Sequence, residues 1–468
     1  MNSIISLPFW LFVLLIIFAA VMVLDRILMP GMRWYLKRRV NRAIEDINTK
    51  LDIQIRPFQL TRKQALIDQL VFDDHVVSAI REYAKEHDMP SEVAQAKAVK
   101  YANEIAPTFN AYVYFRFGYW LSKKMARLLY RIRVGYFDKD QLKQIPADAS
   151  VVFVMNHRSN MDYILVSFLV AEKTALSYAV GEWARIWPLQ TLIKSMGAFF
   201  VRRNSGNPLY RKVLERYVNL ATRAGVCQAV FPEGGLTRDG IMRDAKLGFL
   251  DYMVRDYHPG IDRNVVFVPV GINYDRVLED KTLVRKLDQE AGKRSSWFVL
   301  KTSFRFFIKT LLLDRKSRWR RFGYASVNFG KPIYAQEFVQ AANKEITEMT
   351  TEERFEFVAD MAGSIMQAIK EVVPVLPVPL MSAVVLAQQD KWSSELELKS
   401  KAVAQMNQLK EKGAPIDISE AACERVLSAA LDMLHGRGFI EMQNNLYQAS
   451  KASIGLLEYY ANSINYWE

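Results

Sequence analysis

Six short apolar runs, at residues 151–155, 176–180, 198–201, 227–231, 265–270 and 325–329, are mostly separated by segments long enough for a helix. Each is too short for a buried helix and rich in β-branched or aromatic residues, so each predicts a strand. The runs are continuously apolar rather than alternating, which suits a sheet covered on both faces. This pattern restricts the chain to an α/β fold whose ligand sites lie on loops after the carboxyl ends of the strands.

The first of those loops carries the strongest chemistry. Asn156-His157-Arg158-Ser159-Asn160-Met161-Asp162 joins the run at 151–155 to a helix-length apolar segment at 163–170. In a continuous helix His157 and Asp162 would lie about 140° apart around the axis, whereas a turn folds the carboxylate back onto the imidazole. A His held by a carboxylate is the acid/base half of a catalytic triad. The nucleophile half is missing, because no Gly-x-Ser-x-Gly elbow occurs in the chain. The imidazole then has to activate a hydroxyl that belongs to a substrate. An isolated His-x4-Asp is more often only a turn followed by a helix cap, so the other loops decide.

Gly197-Ala198-Phe199-Phe200-Val201-Arg202-Arg203 delivers two arginines to the end of a strand, where a bidentate fork suits phosphate. Phe231-Pro232-Glu233-Gly234-Gly235-Leu236-Thr237-Arg238 follows another strand. There the glycines let backbone approach a ligand, Glu233 positions a hydroxyl, and Arg238 with Lys246 adds to an anion site. Val268-Pro269-Val270-Gly271-Ile272-Asn273-Tyr274 puts a proline inside an apolar strand, which predicts a sheet edge or a bulge beside a cleft.

Outside these runs the chain reads as helical. Residues 65–70, 76–84, 93–105 and 112–130 carry apolar residues at three- and four-residue spacing. The aromatic stripe Tyr112, Tyr114, Phe115, Phe117, Tyr119 and Trp120 within the last of them is expected in the core. Residues 4–24 hold no charge, and 21 residues of helix span roughly 30 Å, one hydrocarbon core. Arg26, Arg33, Lys37, Arg38, Arg39 and Arg42 follow, which sets the rest of the chain in the cytoplasm. The expected divisions are a transmembrane anchor at 1–28, a helical region at 29–145, a catalytic domain at 146–335 and a C-terminal helical region at 336–468.

The 63 Lys and Arg against 50 Asp and Glu leave a charge of +13, which calls for an anionic partner. Membrane phospholipids suit it; the basic and apolar residues interleaved from 293 to 321 fit either a further interfacial segment or a packed helix with solvated charges. No nucleic-acid-reading motif occurs, so nucleic acid is not an expected partner. Cys227 and Cys423 are expected as free thiols in a reducing compartment. The five histidines are scattered without zinc spacing, so no metal is expected.

The order of the four loop motifs resembles the successive blocks of the glycerolipid acyltransferase superfamily. The arginines after Gly-Ala-Phe-Phe, and Tyr274-Asp275-Arg276-Val277-Leu278-Glu279, resemble the glycerol-3-phosphate acyltransferase branch. Val373-Pro374-Val375-Leu376-Pro377-Val378-Pro379-Leu380 and Leu456-Leu457-Glu458-Tyr459-Tyr460-Ala461-Asn462-Ser463-Ile464 extend the likeness to roughly residues 145–468. The resemblance implies a mixed sheet flanked by helices, His157 as general base and Asp162 as its partner. It further implies substrate-binding roles for Arg158, Arg202, Arg203, Glu233, Gly234, Gly235, Arg238 and Lys246. The implied reaction acylates the 1-hydroxyl of glycerol 3-phosphate from acyl-CoA or an acyl-carrier protein as co-substrate, with no cofactor. Lysophosphatidate or dihydroxyacetone phosphate as acceptor, and an inactive membrane scaffold, remain alternatives. One departure stands out: Leu236 occupies the place where many members have arginine, and Arg238 comes two residues later.

Overall fold

The structure, a computed structural model, describes residues 55–136, 139–171, 174–181, 185, 189–202, 205–285 and 322–467. The expected membrane helix at 4–24, the basic segment at 293–321 and Arg203 lie outside the described residues. Among the described residues no helix is long and apolar enough to cross a membrane.

The main sheet contains β1 (Arg131–Tyr136), β2 (Ser150–Met155), β3 (Ser177–Gly181), β4 (Phe199–Val201), β5 (Gln228–Val230), β6 (Val265–Tyr274), β7 (Tyr324–Phe329) and β8 (Ile333–Tyr334). Across the sheet the order is β1-β7-β6-β2-β5-β3-β4, with β8 beside β6. Strands β2 to β6 pair in parallel, whereas β7 and β8 run antiparallel to β6 and β1 runs parallel to β7. The sheet is therefore mixed, and each of the six apolar runs supplies one of its strands. The carboxyl ends of β2, β4, β5 and β6 share one edge, so four loops distant in sequence meet there.

Helices cover the sheet because its strands are apolar on both sides. They include α1 (Asp74–Glu86), α2 (Ser91–Ile105), α3 (Met161–Val170), α4 (Pro208–Arg223), α5 (Leu247–Val254), α6 (Thr351–Lys370), α7 (Pro377–Leu386) and α8 (Ile454–Ala461). Helix α4 starts where the Asn207 side chain accepts from the Tyr210 N–H and Pro208 fills the first turn. Helix α6 starts with a reciprocal Thr350–Glu353 capping box. Val152, Val154, Val230, Val265 and Phe267 of the strands join Val213 and Tyr217 of α4, Leu250 of α5 and Ile365 of α6 in one buried cluster. Each such side chain contributes roughly 1.5–3 kcal/mol on burial, so a Phe267→Ala cavity would cost about 3–5 kcal/mol.

Four expectations need correction. A wholly helical 29–145 misses β1, whose Arg131-Ile132-Arg133-Val134 alternation marks a charged edge strand rather than a buried one. Arg133 lies over the Tyr324 ring at 4.1 Å and pairs with Asp417 at 2.8 Å. Pro269 lies at neither an edge nor a bulge: β6 is internal, bonded to β8 at Val266 and Phe267 and to β7 from Val270 onward. The proline falls where one partner strand gives way to the other, so its missing N–H breaks no ladder. The C-terminal region is not wholly helical, because Ile440–Gln443 and Leu446–Ala449 form a hairpin. Its turn residues Asn444 and Asn445 have φ of 51° and 59°, the left-handed values a two-residue hairpin loop requires. Finally, Tyr112, Phe117 and Trp120 are not core residues but stand exposed on the surface.

Candidate active site

The turn after β2 is held open as a loop by bonds at its base. Asn156 Nδ2 donates to the Ile272 carbonyl at 2.9 Å, and its Oδ1 accepts from the Ile272 N–H at 2.8 Å, which ties the turn to β6. Ser159 Oγ donates to Glu279 at 2.7 Å, and Asn160 Nδ2 donates to the same carboxylate at 3.0 Å. Helix α3 then begins at Met161 and points Asp162 back along the turn.

His157 Nδ1 and Asp162 Oδ2 are 2.9 Å apart, and the two side chains are almost fully buried. The same Oδ2 accepts from the N–H groups of Arg158 and Ser159 at 2.8 and 3.0 Å, while Oδ1 accepts from the Tyr274 hydroxyl at 2.6 Å. Burial pushes the Tyr274 phenol well above its usual range, with Asp162 adding to the effect, so it remains a donor. A carboxylate satisfied in this way accepts the Nδ1 proton and leaves Nε2 of the neutral ring as the basic nitrogen. The His157 ring packs against Phe231 at 4.0 Å between centroids and edge-on to Tyr163.

His157 lines a cleft of about 400 Å³ together with Tyr163, Arg202, Arg211, Phe231 and Lys246. Gly234 lines it too, with φ of 70°; a Cβ there would come within 2.7 Å of Lys246 Cδ. Glycine is thus required both for the turn and for the close passage of the lysine stem. Three cations of the described residues, Arg202, Arg211 and Lys246, face the space beside the imidazole.

The expected site residues divide into two groups. His157, Arg202, Gly234 and Lys246 line the cleft. Arg158, Glu233, Gly235 and Arg238 do not, and Arg203 lies outside the described residues. Arg158 is buried and turned toward the C-terminal segment, donating to the carbonyls of Gly240 and Tyr459 at 3.2 and 3.3 Å and lying over the Tyr459 ring. Gly240 has φ of 86°, and a Cβ there would stand 2.0 Å from the Tyr459 carbonyl oxygen. Glu233 spends both oxygens on backbone, accepting from the N–H groups of His157 and Arg243 at 2.9 Å each. Burial raises its carboxyl to about 7 despite those bonds. Both residues position the turn and neither reaches the cleft. Arg238 is exposed at the surface.

Sequence reasoning misses Tyr274 as the second holder of Asp162, Glu279 beneath the turn, Arg211 in the cleft and Glu104 of α2. Glu104 receives Arg202 in a two-pronged pair, Nε to Oε1 at 2.9 Å and an outer nitrogen to Oε2 at 2.7 Å. Burial works to raise the Glu104 carboxyl, but bonds from Arg202 and Arg185 outweigh it and hold it below the usual value. The Arg202 guanidinium is also stacked over Tyr101 and Tyr210 at 5.1 Å each. No local pattern announces these partners; a polar residue closing an apolar strand, as Tyr274 closes β6, is the nearest thing to a signal.

Residues 137–273 match the family described as Acyltransferase, and residues 308–466 match the family described as Glycerol-3-phosphate acyltransferase C-terminal region. A glycerol-3-phosphate acyltransferase of Aeromonas hydrophila subsp. hydrophila is 28% identical over 433 residues, covering 87% of this chain and 50% of that protein. One of Ectopseudomonas mendocina is 33% identical over 285 residues, covering 60% of this chain and 33% of that protein. The chain spans about half the length of the curated relatives it matches over most of its own. The solved 1-acyl-sn-glycerophosphate (LPA) acyltransferase of Thermotoga maritima aligns with 65% of this chain and 97% of its own at 16% identity. Its TM-score of 0.30 is too low to carry weight. In both its central and its C-terminal regions the chain resembles the glycerol-3-phosphate acyltransferase branch that its motif order implies.

Proposed function

We propose that this chain, which matches an acyltransferase family and then a glycerol-3-phosphate acyltransferase C-terminal region, transfers a fatty acyl group from a thioester to the 1-hydroxyl of glycerol 3-phosphate. The observation that carries the reading is the His157–Asp162 pair at the wall of a cationic cleft with no Gly-x-Ser-x-Gly nucleophile in the chain. His157 Nε2 takes the hydroxyl proton as the oxygen attacks the thioester carbonyl, and the tetrahedral intermediate expels the thiolate, which receives that proton. Asp162, fixed by Tyr274 and two backbone N–H groups, steadies the imidazolium. Lys246, beside Gly234, faces the developing oxyanion, and Arg202 with Arg211 serves the acceptor's phosphate. Arg202 is held by Glu104, so the acceptor has to compete for it.

The reading includes attachment to a membrane through residues 4–24, with the catalytic region on the cytoplasmic side and phospholipids as partners. Exposed Tyr112, Phe117 and Trp120 stand beside exposed Arg116, Lys124 and Arg127, a mixture suited to an interface where apolar burial and attraction to anionic lipid add. Sedimentation with membranes after alkaline carbonate extraction tests the anchor.

Transfer of a radiolabelled acyl group to glycerol 3-phosphate, dihydroxyacetone phosphate and lysophosphatidate by membranes holding the protein tests the reaction. The expected result is lysophosphatidate formed from glycerol 3-phosphate in preference to the other two products. Preference for another acceptor changes the substrate, and no transfer to any of them removes the enzyme reading in favour of a scaffold.

A further inference from the structure

A second cavity of about 390 Å³ is lined by Lys63, Lys100, Asn103, Glu104, Arg185, Gln190, Lys194 and Phe200. Four of these side chains are cationic and one is acidic, and the acidic one is already engaged. Glu104 pairs on one side with Arg185 and on the other with Arg202, which lines the cleft that holds His157. The two cavities therefore share one ion triad.

The cations of the second cavity are poorly compensated. Lys194 is largely buried, and its ammonium donates to the carbonyls of Asn103 and Glu104 at 3.3 and 3.0 Å rather than to a carboxylate. Lys63 donates to the Asn103 side chain, a neutral partner. Arg185 keeps a buried Nε with no bonding partner. Burial, reinforced by Lys63 and Arg185 and only partly offset by Glu104, lowers Lys194 to about 8. Burying and crowding cations in this way costs stability unless something negative completes the group. A concave cavity of this size suits a small anionic molecule, whereas a carrier protein needs a broad face.

Resting on the acyl-transfer reading above, we propose that this cavity binds the phosphorylated nucleotide end of coenzyme A, the carrier of the acyl thioester. The pantetheine arm then passes the Glu104–Arg202 pair into the cleft and presents the thioester to the hydroxyl activated by His157. Guanidinium and ammonium groups from four separate positions match phosphates carried at two places on one nucleotide. Cations drawn from outside the four sequence motifs would also let the donor and acceptor be recognised by different parts of the chain.

The test uses the full chain in detergent or nanodiscs, with adenosine 3′,5′-bisphosphate as the calorimetric probe and phosphatidate vesicles as the competing anion. Lys63→Glu and Lys100→Glu reverse charges that belong to this cavity and not to the cleft; Lys100→Gln, on an exposed side chain, reads the same difference should either reversal melt below wild type. The expected result is nucleotide binding by wild type, weakened at least tenfold in the variants. The KM for acyl-CoA rises at least tenfold, while kcat and the KM for glycerol 3-phosphate stay within twofold. Nucleotide binding unchanged by the substitutions overturns the proposal. So does binding of phosphatidate vesicles without nucleotide, which assigns the cavity to a lipid headgroup. Because binding is read without turnover, a protein that binds the nucleotide but acylates nothing removes the transfer reaction and leaves the cavity's ligand standing.

Discussion

The Tyr274 hydroxyl donates to Asp162 Oδ1 at 2.6 Å, on the opposite side of the carboxylate from the oxygen that holds His157. Asp162 is thus gripped from β6 as well as from its own turn. Tyr274→Phe leaves that oxygen buried without its donor, a cost of about 1–3 kcal/mol. The expected outcome is a lower melting temperature and a kcat reduced about tenfold, with both KM values little changed. A variant that lost stability but kept wild-type kcat would show that the phenol only packs.

His157→Ala removes the base and should lower kcat by ~10² to 10⁴, with secondary structure by circular dichroism unchanged. Activity within tenfold of wild type in a folded, membrane-bound variant would eliminate imidazole catalysis.

Arg202→Ala should raise the KM for glycerol 3-phosphate about tenfold or more, the worth of a charged hydrogen bond. Kinetics with glycerol as acceptor supply the control, because an acceptor without phosphate should not notice the change. An equal effect on both would assign Arg202 to the fold alone.

Glu233 sets a pH dependence with an unusual sign. Its folded-state carboxyl titrates at about 7 against an ordinary value of 4.5, mainly through burial. The folded protein therefore binds a proton that the unfolded chain releases, so this group's contribution is full below about 4.5 and is lost as pH rises through about 7. Glu233→Gln, which cannot ionise, should flatten the fall in stability between pH 5 and 8 seen by chemical denaturation. Identical slopes for the two proteins would contradict it.

Arg158→Lys separates positioning from substrate contact. The guanidinium spans the Gly240 and Tyr459 carbonyls, and lysine cannot bond both in the same fork geometry. Stability and kcat should fall together while the KM for glycerol 3-phosphate holds. A rise confined to that KM would return Arg158 to the substrate.

What the sequence reveals follows from how far apart the partners are. His157 and Asp162 are five residues apart, and the six runs carry their own strand signal, so the His–Asp contact and most of the sheet are legible. Tyr274 is 112 residues from Asp162, and Glu104 is 98 from Arg202. Those pairings arise from sheet order and helix packing, which no local period encodes. Glu233 reads as a ligand-facing acid because Pro-Glu-Gly-Gly looks like a binding turn; its actual partners are backbone N–H groups, invisible to residue identity. The edge strand β1 escapes for the opposite reason, since its arginines make it resemble a solvated helix.

Arg158 and Tyr459 are 301 residues apart, yet Arg158 adjoins the imidazole in sequence and draws one of its two carbonyl acceptors from Tyr459. At ribosomal speeds of 5–20 residues per second, roughly 15 to 60 s pass between synthesis of the turn and synthesis of the helix that braces it. During that interval the nascent polypeptide carries His157 without this brace. The base of the turn is thereby completed only after residue 459 has been made.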